Sequence, residues 1–216
     1  MEQEILTDIQ EKIIKAVAEE PKMADFYLSG GTALAACYFQ HRISDDLDFF
    51  VFNEPDKIFL HGFAEKLKTI VSADSMRFER LYDRNQFFFI VRNEESKVEF
   101  TKYPFEQLEK QIVCKNIKVD SLRDIAANKL MALLDRFDPK DFIDLYFVLQ
   151  NFNLQETRKD VERKFGIKVD NIFLGGELAK VKNIEALPKM LKPLSIKELK
   201  KIFSKLAEEL APQIFE

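Results

Sequence analysis

The run Asp46-Leu47-Asp48-Phe49-Phe50-Val51-Phe52 constrains this chain more than any other. Its aromatic and β-branched residues read as a strand, and a strand sends residues two apart to the same face, so Asp46 and Asp48 leave the sheet together. Acid-x-acid triplets are common by composition in a chain with 37 acidic residues, so the weight of this one rests on its neighbours. Carboxylates set among Leu47, Phe49, Phe50, Val51 and Phe52 need a partner or a metal, because burial alone disfavours both charges.

The rest of the chain builds a sheet around that strand. Ile5, Ile9, Ile13, Ile14 and Val17 fall at helical spacing and predict a first helix over residues 2–20, ended by Pro21. Residues 26–28 read as a short strand, Ser29-Gly30-Gly31-Thr32 as a tight turn, and residues 33–38 as the helix it opens. A helix is expected at 57–71, then strands at 76–82, 86–92 and 97–103, with turns at Asp83-Arg84-Asn85 and Asn93-Glu94-Glu95-Ser96. From Ser121 the period is helical: Leu122, Ile125, Ala126, Leu130, Leu133 and Leu134 form one stripe, and Phe142, Ile143, Leu145, Tyr146 and Val148 another after Pro139. The expected fold is α+β, a small mixed sheet flanked by helices over residues 1–120 and a helical C-terminal lobe over residues 121–216.

Composition removes several classes. With 6 Gly, 7 Pro and 46% hydrophobic residues, the chain is neither disordered nor collagenous, and its 21 Phe belong to a core. Lys and Arg number 33 against 37 acids, so the molecule carries no overall footprint for nucleic acid and any such contact is local. Residues 180–205 are the place to look: eight lysines stand there against Glu185 and Glu198, a net of +6 that is either a phosphate-contacting surface or a solvated helical face. Cys37 and Cys114 lie far apart with no CxxC and only two histidines, so neither a zinc site nor a disulfide is expected, and a reducing compartment is. The acidic N-terminus lacks the basic flank and apolar core of a signal peptide, and no apolar stretch approaches the roughly 18 residues of a membrane span. The expectation is a cytoplasmic protein with no membrane partner.

A third carboxylate, Glu99, lies between Val98 and Phe100 on a later strand and points by alternation to one face. Its plain alternative is a surface or edge-strand acid. Asp46, Asp48 and Glu99 on neighbouring strands would suit Mg²⁺ or Mn²⁺, hard cations that take oxygen ligands, and fit two-metal phosphoryl or nucleotidyl transfer from an NTP. Gly30-Gly31-Thr32 opens a helix directly after a strand, where backbone N–H groups can hold a phosphate; the alternative is a tight turn with a Thr N-cap.

Residues 30–50, GGTALAACYFQHRISDDLDFF, resemble the signature of the AbiEii/AbiGii-type nucleotidyltransferases of the polymerase-beta-like superfamily. A second block, residues 124–146, is similar to that family's later helical motif, with Lys129, Arg136, Lys140, Asp141 and Asp144 at matching places. The resemblance covers about residues 22–150. It implies that Asp46 and Asp48 bind metal ions, that Glu99 is the third carboxylate, and that Gly30, Gly31 and Thr32 cradle the nucleotide phosphates. It further implies that Lys129 contacts the triphosphate and that Arg42 and Ser44 orient the acids or the phosphates, the alternative for Arg42 being a surface pair with an Asp. Asp141 and Asp144, with Lys140 on one helix, read as pairs that hold the lobe together. The implied activity is Mg²⁺-dependent transfer of a nucleotide from an NTP to a hydroxyl, with the 3′ end of tRNA as the acceptor in the toxin branch and a cognate antitoxin as partner. Two alternatives stand beside it: transfer to a protein side chain or small molecule, and a non-catalytic nucleotide- or partner-binding module.

Overall fold

The computed structural model describes residues 5–210, which fall into two compact units. The first takes the chain up to Tyr38, then Ser44–Glu106 and Lys110–Ser121; the second takes Phe39–Ile43, Gln107–Glu109 and everything from Leu122 onward.

In the first unit, α1 (Asp8–Glu19) begins at Thr7, whose hydroxyl accepts from the Gln10 N–H while the Gln10 side chain accepts from the Thr7 N–H. Of the helix expected from position 2, residues 2–4 lie outside the described residues and residues 5–7 precede the helix, which Thr7 caps. Strand β1 (Tyr27–Ser29) runs into α2 (Gly30–Ala33), which continues as a wider π-type turn over Leu34–Phe39. Then come β2 (Leu47–Val51), α3 (Lys57–Ile70), β3 (Ser75–Leu81), β4 (Arg84–Val91), β5 (Glu94–Lys102), β6 (Ile112–Cys114) and β7 (Ile117–Val119). They form one seven-stranded mixed sheet in the order β3-β4-β5-β2-β1-β7-β6. Pairing is parallel between β2 and β5 and between β1 and β7, and antiparallel elsewhere.

Strand alternation divides this sheet cleanly. Leu28, Leu47, Phe49, Phe87, Phe89, Val98, Phe100 and Val119 are buried on one face. There Phe63 of α3 meets Phe100 edge-on at 6.3 Å, and Phe49 stacks on Phe100 at 5.5 Å. Burying each such ring contributes about 1.5–3 kcal/mol. On the opposite face the register places Ser29 beside Asp48, Asp48 beside Glu99, Glu99 beside Gln86, and Gln86 beside Glu79, a polar row across five strands.

Several features depart from the sequence reading. Arg84 and Asn85 open β4, and Glu94, Glu95 and Ser96 open β5, instead of lying in the turns before them. The hairpin of β6 and β7 was not anticipated: its strands are three residues long, and it turns on Lys115 (φ 51°) and Asn116 (φ 62°), both left-handed and neither a glycine. Finally, Cys37 and Cys114, expected to be separate thiols, form a disulfide that ties the turn following α2 to β6. A pair 77 residues apart in sequence is brought together by the strand order, which spacing alone does not reveal.

The second unit is helical: α4 (Leu122–Asp135), α5 (Pro139–Val148), α6 (Leu154–Phe165), α7 (Asn171–Ala179) and α8 (Ile196–Leu210). Asp138 caps α5, with Pro139 at the first helical position where a missing N–H costs nothing. Gly166 ends α6 in the left-handed conformation at φ 68°. Phe142 of α5 and Phe203 of α8 meet edge-on at 5.2 Å in a core with Ile125, Leu130, Leu145, Val161, Leu174 and Leu199. Residues 41–43 lie against 189–192: the Ile43 N–H donates to the Lys189 carbonyl and the Leu191 N–H to the His41 carbonyl. Leu108 and Glu109 donate their N–H groups to the Asp124 carboxylate, which also takes Lys164 at 2.6 Å. No helix among the described residues is long and apolar enough to cross a membrane.

Candidate active site

The double glycine and the acidic strand form one local structure in the first unit. Gly30 has φ +71°, and a Cβ built on it would lie 2.5 Å from Asp48 Oδ2, so the bend leans its bare backbone on that carboxylate. Only glycine meets both demands. Thr32 is fully buried and donates its hydroxyl to the Asp46 carbonyl, so its side chain fixes the entry to the strand and is not presented to a phosphate. Nor does it cap the helix; that place belongs to Ser29, whose hydroxyl donates instead to Asp120 at 2.9 Å.

Ahead of the acids, the chain is clamped by a residue the sequence reading passed over. Gln10 on α1 is buried and donates its amide N–H groups to the Ser44 carbonyl at 2.8 Å and the Asp45 carbonyl at 3.0 Å. The signal was there: Gln10 precedes Ile13, Ile14 and Val17 at helical spacing, a polar residue within the apolar stripe. Ser44 is buried, and the part it plays here is through its backbone carbonyl.

Asp48 and Glu99 are in register across β2 and β5, while Asp46 precedes β2 and reaches Lys97 of β5, and the three carboxylates are not equivalent. The Asp46 side chain is 47% exposed, with Lys97 Nζ 3.7 Å from its Oδ2. Glu99 is 3% exposed and saturated with donors. Arg84 donates to both its oxygens at 2.6 and 2.7 Å, Thr101 at 2.6 Å, Gln86 at 2.8 Å, and Lys97 stands at 3.3 Å. Burial works to raise the Glu99 carboxyl, yet the hydrogen bonds from Arg84, Thr101 and Gln86 and the Arg84 charge outweigh it and hold it at about 2. Asp46 and Asp48 offer hard oxygens on an accessible face and fit a divalent cation; Glu99, with its oxygens already taken, does not fit as a third ligand. Among the described residues no group of three His, Cys, Asp or Glu side chains is gathered to hold a metal ion.

The other signature residues lie in the second unit. Arg42 is buried and makes a bidentate pair with Asp144, Nε to Oδ1 at 2.7 Å and a terminal nitrogen to Oδ2 at 2.8 Å. It is thus paired with an Asp, but within a core and not at the surface. Lys129 Nζ lies 2.6 Å from Asp144 Oδ2 and 3.0 Å from Asp141 Oδ1, and Arg136 reaches Asp141 at 3.0 Å. His41 Nε2 is 2.8 Å from Asp144 Oδ1 and donates there, since an ionised carboxylate only accepts. Burial pushes the His41 ring below its ordinary range despite Asp144. Burial also acts to lower Lys129, but the charges of Asp144 and Asp141 prevail and hold it above its usual value. Burial acts to raise Asp144, which Lys129, His41 and Arg42 hold well below the carboxylate range. The ammonium expected to meet a triphosphate is therefore engaged inside a balanced ion network, and Asp141 and Asp144 bind the helices of their unit together.

The sequence model described as nucleotidyl transferase AbiEii toxin, type IV TA system, matches residues 12–215. The chain belongs to the AbiEii nucleotidyltransferase family. An uncharacterized protein of Aquifex aeolicus (strain VF5) is 34% identical over 149 residues, 65% of this chain and 66% of that relative, just short of two thirds of its length. Among solved structures, JHP933 of Helicobacter pylori aligns over 95% of this chain and 90% of its own at 18% identity and a TM-score of 0.60. A candidate nucleotidyltransferase of H. pylori aligns over 96% and 97% at 17% identity and a TM-score of 0.65. Likeness at these identities is likeness of fold, and it extends over both units of this AbiEii-family chain.

Proposed function

We propose that this AbiEii-family protein transfers a nucleotidyl group from an NTP to an acceptor hydroxyl. The observation that carries the reading is Gly30, a left-handed glycine whose backbone presses onto the Asp48 carboxylate. Asp46 and Asp48 would hold Mg²⁺ or Mn²⁺, which when bound neutralises the triphosphate and lowers the barrier to attack by the hydroxyl. The backbone of Gly30 would face the phosphates, while Gly31 is buried, and Thr32 and Gln10 keep bend and strand in register. The acceptor hydroxyl gives up its proton to solvent and its oxygen bonds to the α-phosphorus, as the bond from that phosphorus to the α–β bridging oxygen breaks and pyrophosphate departs.

RNA, with the 3′ end of tRNA foremost, is the acceptor we infer. Lys180, Lys182, Lys189, Lys192, Lys197, Lys201 and Lys205 are all exposed in the second unit, an arrangement that suits a phosphate backbone. The family's description supports a cognate antitoxin as regulatory partner, and the donor, an NTP, supports the cytoplasm as the place of action. The test is to incubate wild type and Asp48→Asn with each α-labelled NTP, Mg²⁺ and total tRNA. Label in RNA from the wild type, lowered at least about a hundredfold by Asp48→Asn, is the expected result. Label that survives nuclease but not protease would overturn the RNA acceptor, and equal label from both proteins would overturn the site.

A further inference from the structure

We propose that the acid row takes one divalent cation and not two, with Lys97 a built-in cation in the second place and Glu99 its anchor. The inference rests on the reading of Asp46 and Asp48 as the metal-binding pair. It follows from how the charges on this face are arranged.

Lys97 and Glu99 are two apart on β5, so their side chains leave the same face, and Glu99 lies in register with Asp48 across β2. The Lys97 ammonium stands between the two strands, 3.3 Å from Glu99 Oε2 and 3.7 Å from Asp46 Oδ2. That is the space an ion bridging Asp46 and Glu99 would need. Around Glu99 one negative charge faces two positive ones, Arg84 and Lys97, so a divalent cation approaching its oxygens meets net repulsion. To coordinate there it would also have to strip away the hydrogen bonds from Arg84, Thr101 and Gln86. Around Asp46 the hold is looser: its side chain is 47% exposed and meets Lys97, itself 19% exposed, only at 3.7 Å. A divalent cation is attracted to that end of the row and refused at the other.

Mn²⁺ binding to the purified full chain, followed by electron paramagnetic resonance and calorimetry, reads this directly and needs no turnover. Wild type is expected to bind one Mn²⁺, Asp48→Asn none, and Glu99→Gln still one. Lys97→Met, which removes the built-in cation, is expected to tighten Mn²⁺ binding at least about tenfold or admit a second ion. Lys97→Arg, which keeps the charge, is expected to stay at one. Two Mn²⁺ on the wild type, reduced to one by Glu99→Gln, would overturn the inference while leaving the metal site standing. No Mn²⁺ on the wild type would remove the site itself and the inference with it. Because Glu99 is buried, thermal melts accompany each variant; should Glu99→Gln not fold, the Lys97→Met and Lys97→Arg pair decides, an unchanged affinity in Lys97→Met counting against.

Discussion

The run from Gly30 to Phe50 contributes charged residues to both units, and the two settings treat them in opposite ways. In the second unit Arg42, Lys129, Asp141 and Asp144 are sealed from water and pair with one another, every charge answered by its opposite. In the first unit Asp46 stays half in solvent, and Lys97 stands near it at the outer limit of an ion pair. A closed network is rigid and expensive to break; an open one keeps electrostatic potential in reserve for an arriving ligand. Arg42 and Asp46 are four residues apart in sequence, so proximity in a motif does not imply a shared task.

The sharpest way to break the contrast is to remove Asp144. Asp144→Ala leaves Arg42 and Lys129 buried without their common partner and is expected to cost about 3–5 kcal/mol, read as a lowered denaturant midpoint. A loss under about 1 kcal/mol would mean that water already reaches the network.

Acidification comes next. Glu99 is held at about 2, below the ordinary 4.5, so its contribution is present above about pH 4.5 and is lost as pH falls towards 2. Its size is about 3 kcal/mol, and urea melts along a pH series should show that slope flattened in Glu99→Gln. Asp144 acts with the same sign. His41 acts earlier: it is kept neutral inside the fold, while the unfolded chain takes up a proton below its ordinary 6.5, so stability begins to fall there. A flat profile between pH 7 and 4 would contradict the description of His41.

The smallest effect on stability, and the one that sharpens the contrast most, is at the bend. Gly30→Ala adds a Cβ where φ is +71° and Asp48 is 2.5 Å away, at an expected cost of about 1–3 kcal/mol. Transfer activity should fall far more than stability does, because the displaced atom is the Asp48 carboxylate. Activity retained in a destabilised Gly30→Ala would detach the bend from the chemistry.

Much of the first unit was legible from local pattern. Alternation placed Asp48 and Glu99 on one face, and the five longer elements from residue 47 to 102 exist where the period puts them, though β4 and β5 begin inside the expected turns. The acids' partners were not legible, because they are fixed by register. Arg84 meets Glu99 only through the pairing of β4 with β5, and Gln10 meets Ser44, 34 positions further along the chain. Lys129 carries no local sign that two aspartates twelve and fifteen residues later will occupy it, and a three-residue strand such as β6 is too short to show a period.

The polar row has a further consequence for how this site arises. Were β5 to slide by one position against β2, Val98 or Phe100 would emerge where Glu99 stands, and the carboxylate would be driven among the phenylalanines beneath. Mispairing therefore ruins core and chemistry at a stroke, and a molecule that has folded at all has already proofread its own acids.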